Sequence, residues 1–324
     1  MVSGCASPPF PPGSSGHSTF ATTGPSPKVV TCGGWDLEGF FASCLVLDLE
    51  NRRWDENKVG PLSQIRLRHA AVSLENIGTY LIGGDLDFNR RTTDFLAHGT
   101  TEWTAGPDIP VDMDQPCAVK VSDLNFLAIN GKNILEYEVD IENPKRNNGW
   151  QSRTKWPQLQ RNREQRPGCS KVENYIVIAG GYSSGQYLRS TEVLDLSTKT
   201  IVSAGDLNAP RAYFHMATIT KNRQQRILAF GGTDGSSDLN SVEEFILSNN
   251  TWTLASTAME ETRYSFGAVT LPKELICPTI GFQNIAKLSR IHSNFGLSVC
   301  LCASVTSYIF NFYDVSDHAN HIFS

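Results

Sequence analysis

The side chains best suited to recognition chemistry in this sequence are its arginines. Arg66, Arg68, Arg161, Arg163, Arg166, Arg211 and Arg263 fall at recurring places, while Arg90 and Arg91 stand outside that register. A guanidinium offers a rigid fork of donors that meets a carboxylate or phosphate at two points. The recurring arginines are read as satisfying backbone carbonyls or joining repeated units, and Arg90 and Arg91 as the pair placed to touch a partner. Histidine and cysteine offer less. Of seven histidines only His69 and His215 lie on strands expected to face a central channel, and eight cysteines (5, 32, 44, 117, 169, 277, 300, 302) show neither C-x-x-C pairs nor zinc spacing. The cysteines are read as reduced and mostly buried. No G-x-S-x-G, no phosphate-cradling G-x-x-x-x-G-K-S/T and no H-E-x-x-H occurs. No catalytic residue, metal ligand or cofactor is therefore assigned.

Charge narrows the partners. The 324 residues carry 28 Lys and Arg against 33 Asp and Glu, a net −5, which provides no footprint for nucleic acid or anionic lipid. Residues 1–28, rich in Pro, Ser, Gly and Thr, read as a flexible disordered leader. Pro8, Pro9, Pro11, Pro12 and Gly13 interrupt any secretory apolar run, so the expected location is cytoplasmic and the sequon at Asn249-Asn250-Thr251 stays unused. Residues 291–313 lack Asp, Glu, Lys and Arg, but five Ser or Thr, two Asn and one His make a buried or poorly folded tail the preferred reading over a membrane span.

The elements that must position these residues announce themselves by repetition. Apolar runs end in Gly33-Gly34, Gly83-Gly84, Gly180-Gly181 and Gly231-Gly232, with Phe126 to Gly131 a weaker copy. From Gly34 through Gly84, Gly131, Gly181 and Gly232 the steps are 50, 47, 50 and 51 residues. Trp54, Trp103, Trp150 and Trp252 follow at 19 or 20 residues, and Ile201 takes that place in the fourth copy. A strand-like run lies between glycine and Trp, as in Cys44 to Leu49, Glu192 to Leu196 and Val242 to Leu247, and another precedes each glycine pair. Four short strands per unit of about 50 residues make a small sheet that must pack against its neighbours, and radial stacking into a propeller satisfies that need. The glycines are read as backbone geometry and the Trp set as core.

These residues resemble kelch repeats: Gly-Gly, about 20 residues, then Trp, with a preceding Arg-x-x-His-Ala-like strand. The resemblance spans residues 29–271, about three quarters of the chain, and the shorter repeat of WD proteins does not fit. It implies an all-β, kelch-type β-propeller with about five recognisable four-stranded blades, and six if residues 272–324 form a degenerate blade rather than a divergent tail. Candidate sixth-blade markers are Gly281 and Ile322, with Pro278 interrupting the strand. The first copy shows no inner strand of its own, and Arg263 to Leu271 is an inner-type strand left over that is expected to complete it.

Loops after each glycine pair are expected to gather on one face and carry the partner site. The candidates are Trp35, Phe40, Asp85, Asp87, Arg90, Arg91, Tyr182, Tyr187, Asp234 and Asp238. Local cationic character makes an acidic peptide segment the expected ligand. The resemblance implies a non-enzymatic protein-interaction module, of the kind that recognises substrates for ubiquitin ligases or binds actin. A 28-residue leader leaves no room for the cullin-binding domain of the ligase adaptors, so direct cullin recruitment is not expected. The alternatives are a copper-dependent propeller oxidase, for which no Tyr, His and Cys constellation is found, and a secreted or membrane-tethered kelch protein.

Overall fold

Each glycine pair ends the second strand of a small antiparallel sheet. The computed structural model describes residues 15–23, 27–36, 39–48, 53–146, 149–151, 154–221, 223–272 and 307–312. Blade 1 joins β1 (Ser18–Ala21), β2 (Val29–Cys32), β5 (Cys44–Asp48) and β6 (Arg53–Asp55), with a small ribbon of β3 (Trp35–Asp36) and β4 (Gly39–Phe40) beside it. Blade 2 follows with β7 (Ala70–Leu74), β8 (Gly78–Ile82), β9 (Thr93–Ala97) and β10 (Trp103–Ala105). Blade 3 has three strands, β11 (Cys117–Ser122), β12 (Asn125–Asn130) and β13 (Asn133–Glu138). Blade 4 is β14 (Gly168–Val172), β15 (Tyr175–Ala179), β18 (Thr191–Asp195) and β19 (Thr200–Ala204), with a ribbon of β16 (Tyr182–Ser183) and β17 (Gln186–Tyr187) in its loop. Blade 5 is β20 (His215–Lys221), β21 (Gln224–Phe230), β22 (Val242–Ile246) and β23 (Thr251–Leu254). Last come β24 (Gly267–Pro272) and β25 (Ser307–Phe312), paired with each other.

The inner strands close a circle. β1 lies against β7, β7 against β11, β11 against β14, β14 against β20, β20 against β24, and β24 against β1. Five blades thus form the propeller, and the β24–β25 ribbon fills a sixth place on the ring. This corrects two expectations. Blade 1 has its own inner strand, β1, inside the stretch read as leader, and β24 stands next to it instead of completing it. The composition misled because β1 is Ser, Thr, Phe and Ala: Phe20 is buried, and Ser18 and Thr19 are buried with their hydroxyls bonded to His69 O and Thr31 Oγ1. Residues 1–14, Gly281, Pro278 and Ile322 lie outside the described residues, as does most of 291–313, of which 307–312 forms β25. Among the described residues no helix is long and apolar enough to cross a membrane.

Blade 3 departs from the four-strand expectation. Trp150 pairs its backbone with Tyr137 in an isolated bridge instead of a fourth strand, its ring meeting Tyr137 at 5.1 Å, and the Tyr80 and Tyr137 hydroxyls both donate to Pro144 O, at 2.7 and 3.0 Å, which holds the connection in a loop. Of the Trp residues read as core, Trp103 and Trp252 are buried, whereas Trp54 is only half-buried. Trp103 meets Phe20 of the preceding blade edge to face at 5.9 Å, and Trp252 packs into the core between blades 4 and 5 with its Nε1 donating to Thr191 Oγ1 at 2.9 Å. Such wedges weld neighbouring sheets through buried apolar area plus one satisfied polar tip.

A repeated ionic clip marks the crossings between blades. Arg211 Nη1 donates to Gly231 O at 2.8 Å, while its Nη2 meets Glu243 Oε1 at 2.5 Å. Arg163 meets Gly180 O at 2.6 Å and Glu192 Oε2 at 2.9 Å, and Arg66 meets Gly83 O at 2.5 Å and Asp94 Oδ2 at 2.9 Å. All three guanidinium groups are 0% exposed. Backbone carbonyls of the same arginines accept from the glycines of the preceding blade: Gly34 N to Arg66 O at 2.8 Å and Gly181 N to Arg211 O at 2.9 Å. The chain is squeezed here, for a Cβ on Gly231, at φ +56, would lie 2.6 Å from Arg263 O. These three arginines therefore join blades, whereas Arg68 and Arg166, grouped with them by recurrence in the sequence, form no such clip: Arg68 pairs with Asp85 and lies over the Tyr213 ring. Burial lowers the pKa of Arg66, Arg163 and Arg211, and the paired carboxylate opposes it.

Removing one partner of such a pair strands a buried charge, at a cost of about 3–5 kcal/mol. Glu243→Ala is expected to lower stability by about that much in chemical denaturation, whereas Glu244→Ala, which loses a partly exposed pair with Arg226, should cost at most about 1 kcal/mol. Equal losses for the two variants would remove the clip from its structural role.

Candidate functional site

A ring of left-handed residues sits at the end of the propeller where the inner strands begin. Gly16, Arg68, Gln115, Arg166, Tyr213 and Ser265 have φ of 72, 52, 51, 48, 56 and 55°, one at each of the six places. Only the first is glycine, and L residues avoid this region at about 1–2 kcal/mol each, so the surrounding structure imposes it. Backbone bonds run from one to the next: Gly16 N to Ser265 O at 3.0 Å, Arg68 N to Gly16 O at 2.6 Å, Arg166 N to Gln115 O at 3.1 Å and Ser265 N to Tyr213 O at 2.8 Å. The residue following the glycine pair bridges to the residue before this ring, as in Ser15 with Trp35, Gln165 with Tyr182 and Ala212 with Thr233. The loops after the glycines therefore surround the ring on one face, as the sequence led us to expect.

Side chains fill the centre of that face. Arg68 Nη1 pairs with Asp85 Oδ2 at 2.8 Å, and its guanidinium lies 5.3 Å from the centroid of the Tyr213 ring. Blades 2 and 5 stand opposite each other in a ring of six, so this cation–π contact spans the axis. Gln115 Nε2 donates to Asp85 Oδ1 at 2.9 Å, and the Tyr213 hydroxyl donates to Gln165 Oε1 at 3.2 Å. Arg166 is different. Its Nε and Nη2 are buried without an acceptor among the described residues, and burial together with the charge of Arg68 pushes its pKa down to about 9. Asp114, near Arg90 and Asp85, is raised by its burial.

The expected contact residues divide into three groups. Trp35 and Asp85 stand at the mouth itself, while Tyr182 and Tyr187 pair across their ribbon with ring centroids 5.0 Å apart. Phe40 pairs with Trp35 across the first ribbon and is 52% exposed; Phe88 at 56% and Tyr264 at 50%, neither singled out from sequence, add to the aromatic rim. Asp87 and Arg90 pair at 3.0 Å in the blade 2 loop, and Arg90 also approaches Asp114 at 3.8 Å. Arg91 pairs with exposed Asp112 at 2.5 Å. Asp234 accepts the Ser236 and Ser237 amides at 2.7 and 2.8 Å, which lowers its pKa and makes it a turn former; exposed Asp238 closes the same loop by bridging to Thr233. Gln115, Tyr213 and Ser265 were missed. They share a backbone conformation at a fixed phase of the repeat but no residue type, so only their spacing of about 50 residues carried a signal.

Two histidines near the ring are held neutral. His69 is 1% exposed, and burial, then the charges of Arg66, Arg166 and His17, put its pKa well below normal; burial and Arg166 take His215 down to about 4. Among the described residues no three His, Cys, Asp or Glu side chains converge as metal ligands. Below the ordinary histidine pKa of about 6.5 the unfolded chain binds protons that these folded sites refuse, so stability falls with pH there. Denaturation midpoints should drop between pH 6.5 and about 4, and His215→Gln should flatten part of that slope; an unchanged slope would contradict the assignment.

The cysteines depart from the reduced reading. Cys32 and Cys44, a cross-strand pair in blade 1, are joined by a disulfide, and a second one links Cys117 to Cys169 on neighbouring inner strands. Cysteines 5, 277, 300 and 302 lie outside the described residues.

Comparison with known proteins agrees with the architecture. The Kelch motif family model matches residues 166–200 and 224–259, in blades 4 and 5. A Caenorhabditis elegans protein, kelch repeat-containing protein kel-10, is 28% identical over 110 residues, which is 34% of this chain and 19% of that protein. The match therefore spans about a fifth of the relative's length. The fold defines a β-propeller. Two matched motifs, a kelch-repeat relative and five blades arranged in a ring support a kelch-repeat propeller.

Proposed function

We propose that the mouth face binds a segment of another protein, seating an acidic side chain at Arg166 and apolar or aromatic neighbours on the rim. Propellers of this repeat family are in general interaction modules and not enzymes. The observation that carries the finer reading is the pair of buried Arg166 donors without an acceptor among the described residues, close to Tyr213. An unmet buried guanidinium N–H is costly until a carboxylate or similar acceptor arrives. Trp, Tyr and Arg are also the residues in which binding hot spots are enriched. The surface is mixed in charge, with Asp85, Asp87 and Asp114 near Arg68, Arg90 and Arg166, so it selects a locally acidic segment and not a polyanion. A role in substrate recognition or at the cytoskeleton would follow from which protein owns the segment.

Affinity purification of the full chain from cells, with variants matched for thermal stability, tests the reading. Tyr182→Ala/Tyr187→Ala and Arg90→Ala/Arg91→Ala should each lose partners held by the wild type, and a synthetic peptide from such a partner should lose affinity when its acidic residue is made neutral. Retention of every partner by both variants would place the binding face elsewhere.

A further inference from the structure

We propose that the Cys117–Cys169 disulfide is a redox-operated staple that sets how ordered the mouth is. Its consequence for binding rests on the mouth being the partner site; the staple itself does not. Cys117 lies two residues after Gln115, and Cys169 three residues after Arg166, at the starts of the inner strands of blades 3 and 4. The bond therefore lies close in sequence to the Arg166 N to Gln115 O hydrogen bond, one of the links of the ring. Around that ring the described backbone bonds fall into two arcs. One runs from Tyr213 through Ser265 and Gly16 to Arg68, and the other is the Gln115–Arg166 link alone, because Gln115 N turns to Gly84 O at 3.3 Å. The covalent bond thus reinforces the short arc, the one that carries Arg166.

The two disulfides differ in access. Cys32 and Cys44 are 1% and 2% exposed inside one blade, whereas Cys117 and Cys169 are only half-buried. A reductant reaches the second pair first, and accessible disulfides are the labile and regulatory ones. In a reducing compartment such a bond is transient by nature. The chemistry balances with a dithiol as the reductant. Its thiolate attacks one sulfur, the S–S bond breaks through a mixed disulfide, and its second thiol then displaces the protein. Two cysteine thiols result, with two electrons and two protons drawn from the dithiol, which leaves as a disulfide. Once reduced, blades 3 and 4 keep the Arg163–Glu192 clip, the Gly131–Arg163 backbone bonds, the Asn130 bond to Glu164 O and their shared apolar core, while the Gln115–Arg166 link loses its covalent neighbour and the mouth loosens around Arg166.

The test uses the full chain, oxidised with glutathione disulfide and then titrated with dithiothreitol. Alkylation with iodoacetamide and mass spectrometry should find Cys117 and Cys169 released before Cys32 and Cys44. Amide hydrogen exchange should then rise severalfold in residues 113–121 and 164–172 while blade 1 is unchanged. Cys117→Ser/Cys169→Ser should exchange like the reduced protein with or without reductant, and Cys32→Ser/Cys44→Ser should still respond. Failure of the oxidised chain to link Cys117 to Cys169, or equal exchange in both redox states, would overturn the proposal. Exchange is read without any partner, so that failure is separate from failure of the binding assignment.

Discussion

A buried guanidinium that meets a carboxylate and a glycine carbonyl at once is the interaction on which this propeller depends. Desolvating an ion pair brings little net stability compared with an apolar contact of the same size, so its value lies in position. Arg66, Arg163 and Arg211 each enter from the crossing between two blades, hold the carbonyl of the first glycine of the next blade, and offer their own carbonyl back to a glycine amide of the previous one. Few other side chains carry enough donors in one plane to do this. The glycines are then required, because the crossing chain passes where a Cβ would stand. Where the clip is missing, as at Met113 before blade 3, a fully buried side chain occupies the crossing and the blade keeps only three strands.

From that fixed crossing the chain has two residues, three after Arg163, in which to turn into the inner strand, and it does so through a left-handed residue. The turn is imposed six times, once at Gly16, and the side chains of Arg68, Gln115, Arg166 and Tyr213 meet around the axis, which is how residues so unlike come to share one surface. The repeat thus produces a functional face as a by-product of its closure. The residues there are free to vary because the backbone, not the side chain, is held by the repeat.

This division explains what could be read from the sequence. Gly-Gly and Trp are constrained by shape, so their spacing disclosed the blades, while the recurrence of arginine did not separate the joints at Arg66, Arg163 and Arg211 from the mouth residues Arg68 and Arg166. β1 stayed hidden because a strand of Ser, Thr, Phe and Ala resembles the polar stretch around it, and its place depends on β24 and β7, far away in sequence. The mouth was legible as a site through its loops: Trp35, Asp85 and Tyr182 were found because they follow glycine, Arg68 and Arg166 were seen but read as joints, and Tyr213 and Gln115 precede their inner strands with no shared chemistry. The Cys117–Cys169 contact is a product of blade adjacency, which no local pattern encodes.

The account stands on the buried clips, and arginine side-chain exchange measures them directly. In an arginine-labelled sample at neutral pH, nuclear magnetic resonance should show slowly exchanging Nε–H signals for Arg66 and Arg163 and slowly exchanging Nη–H signals for Arg211, assigned by substitution, while exposed Arg91 and Arg161 exchange too fast to observe. Fast exchange at all three would contradict the buried pairs and, with them, the geometry that builds the mouth.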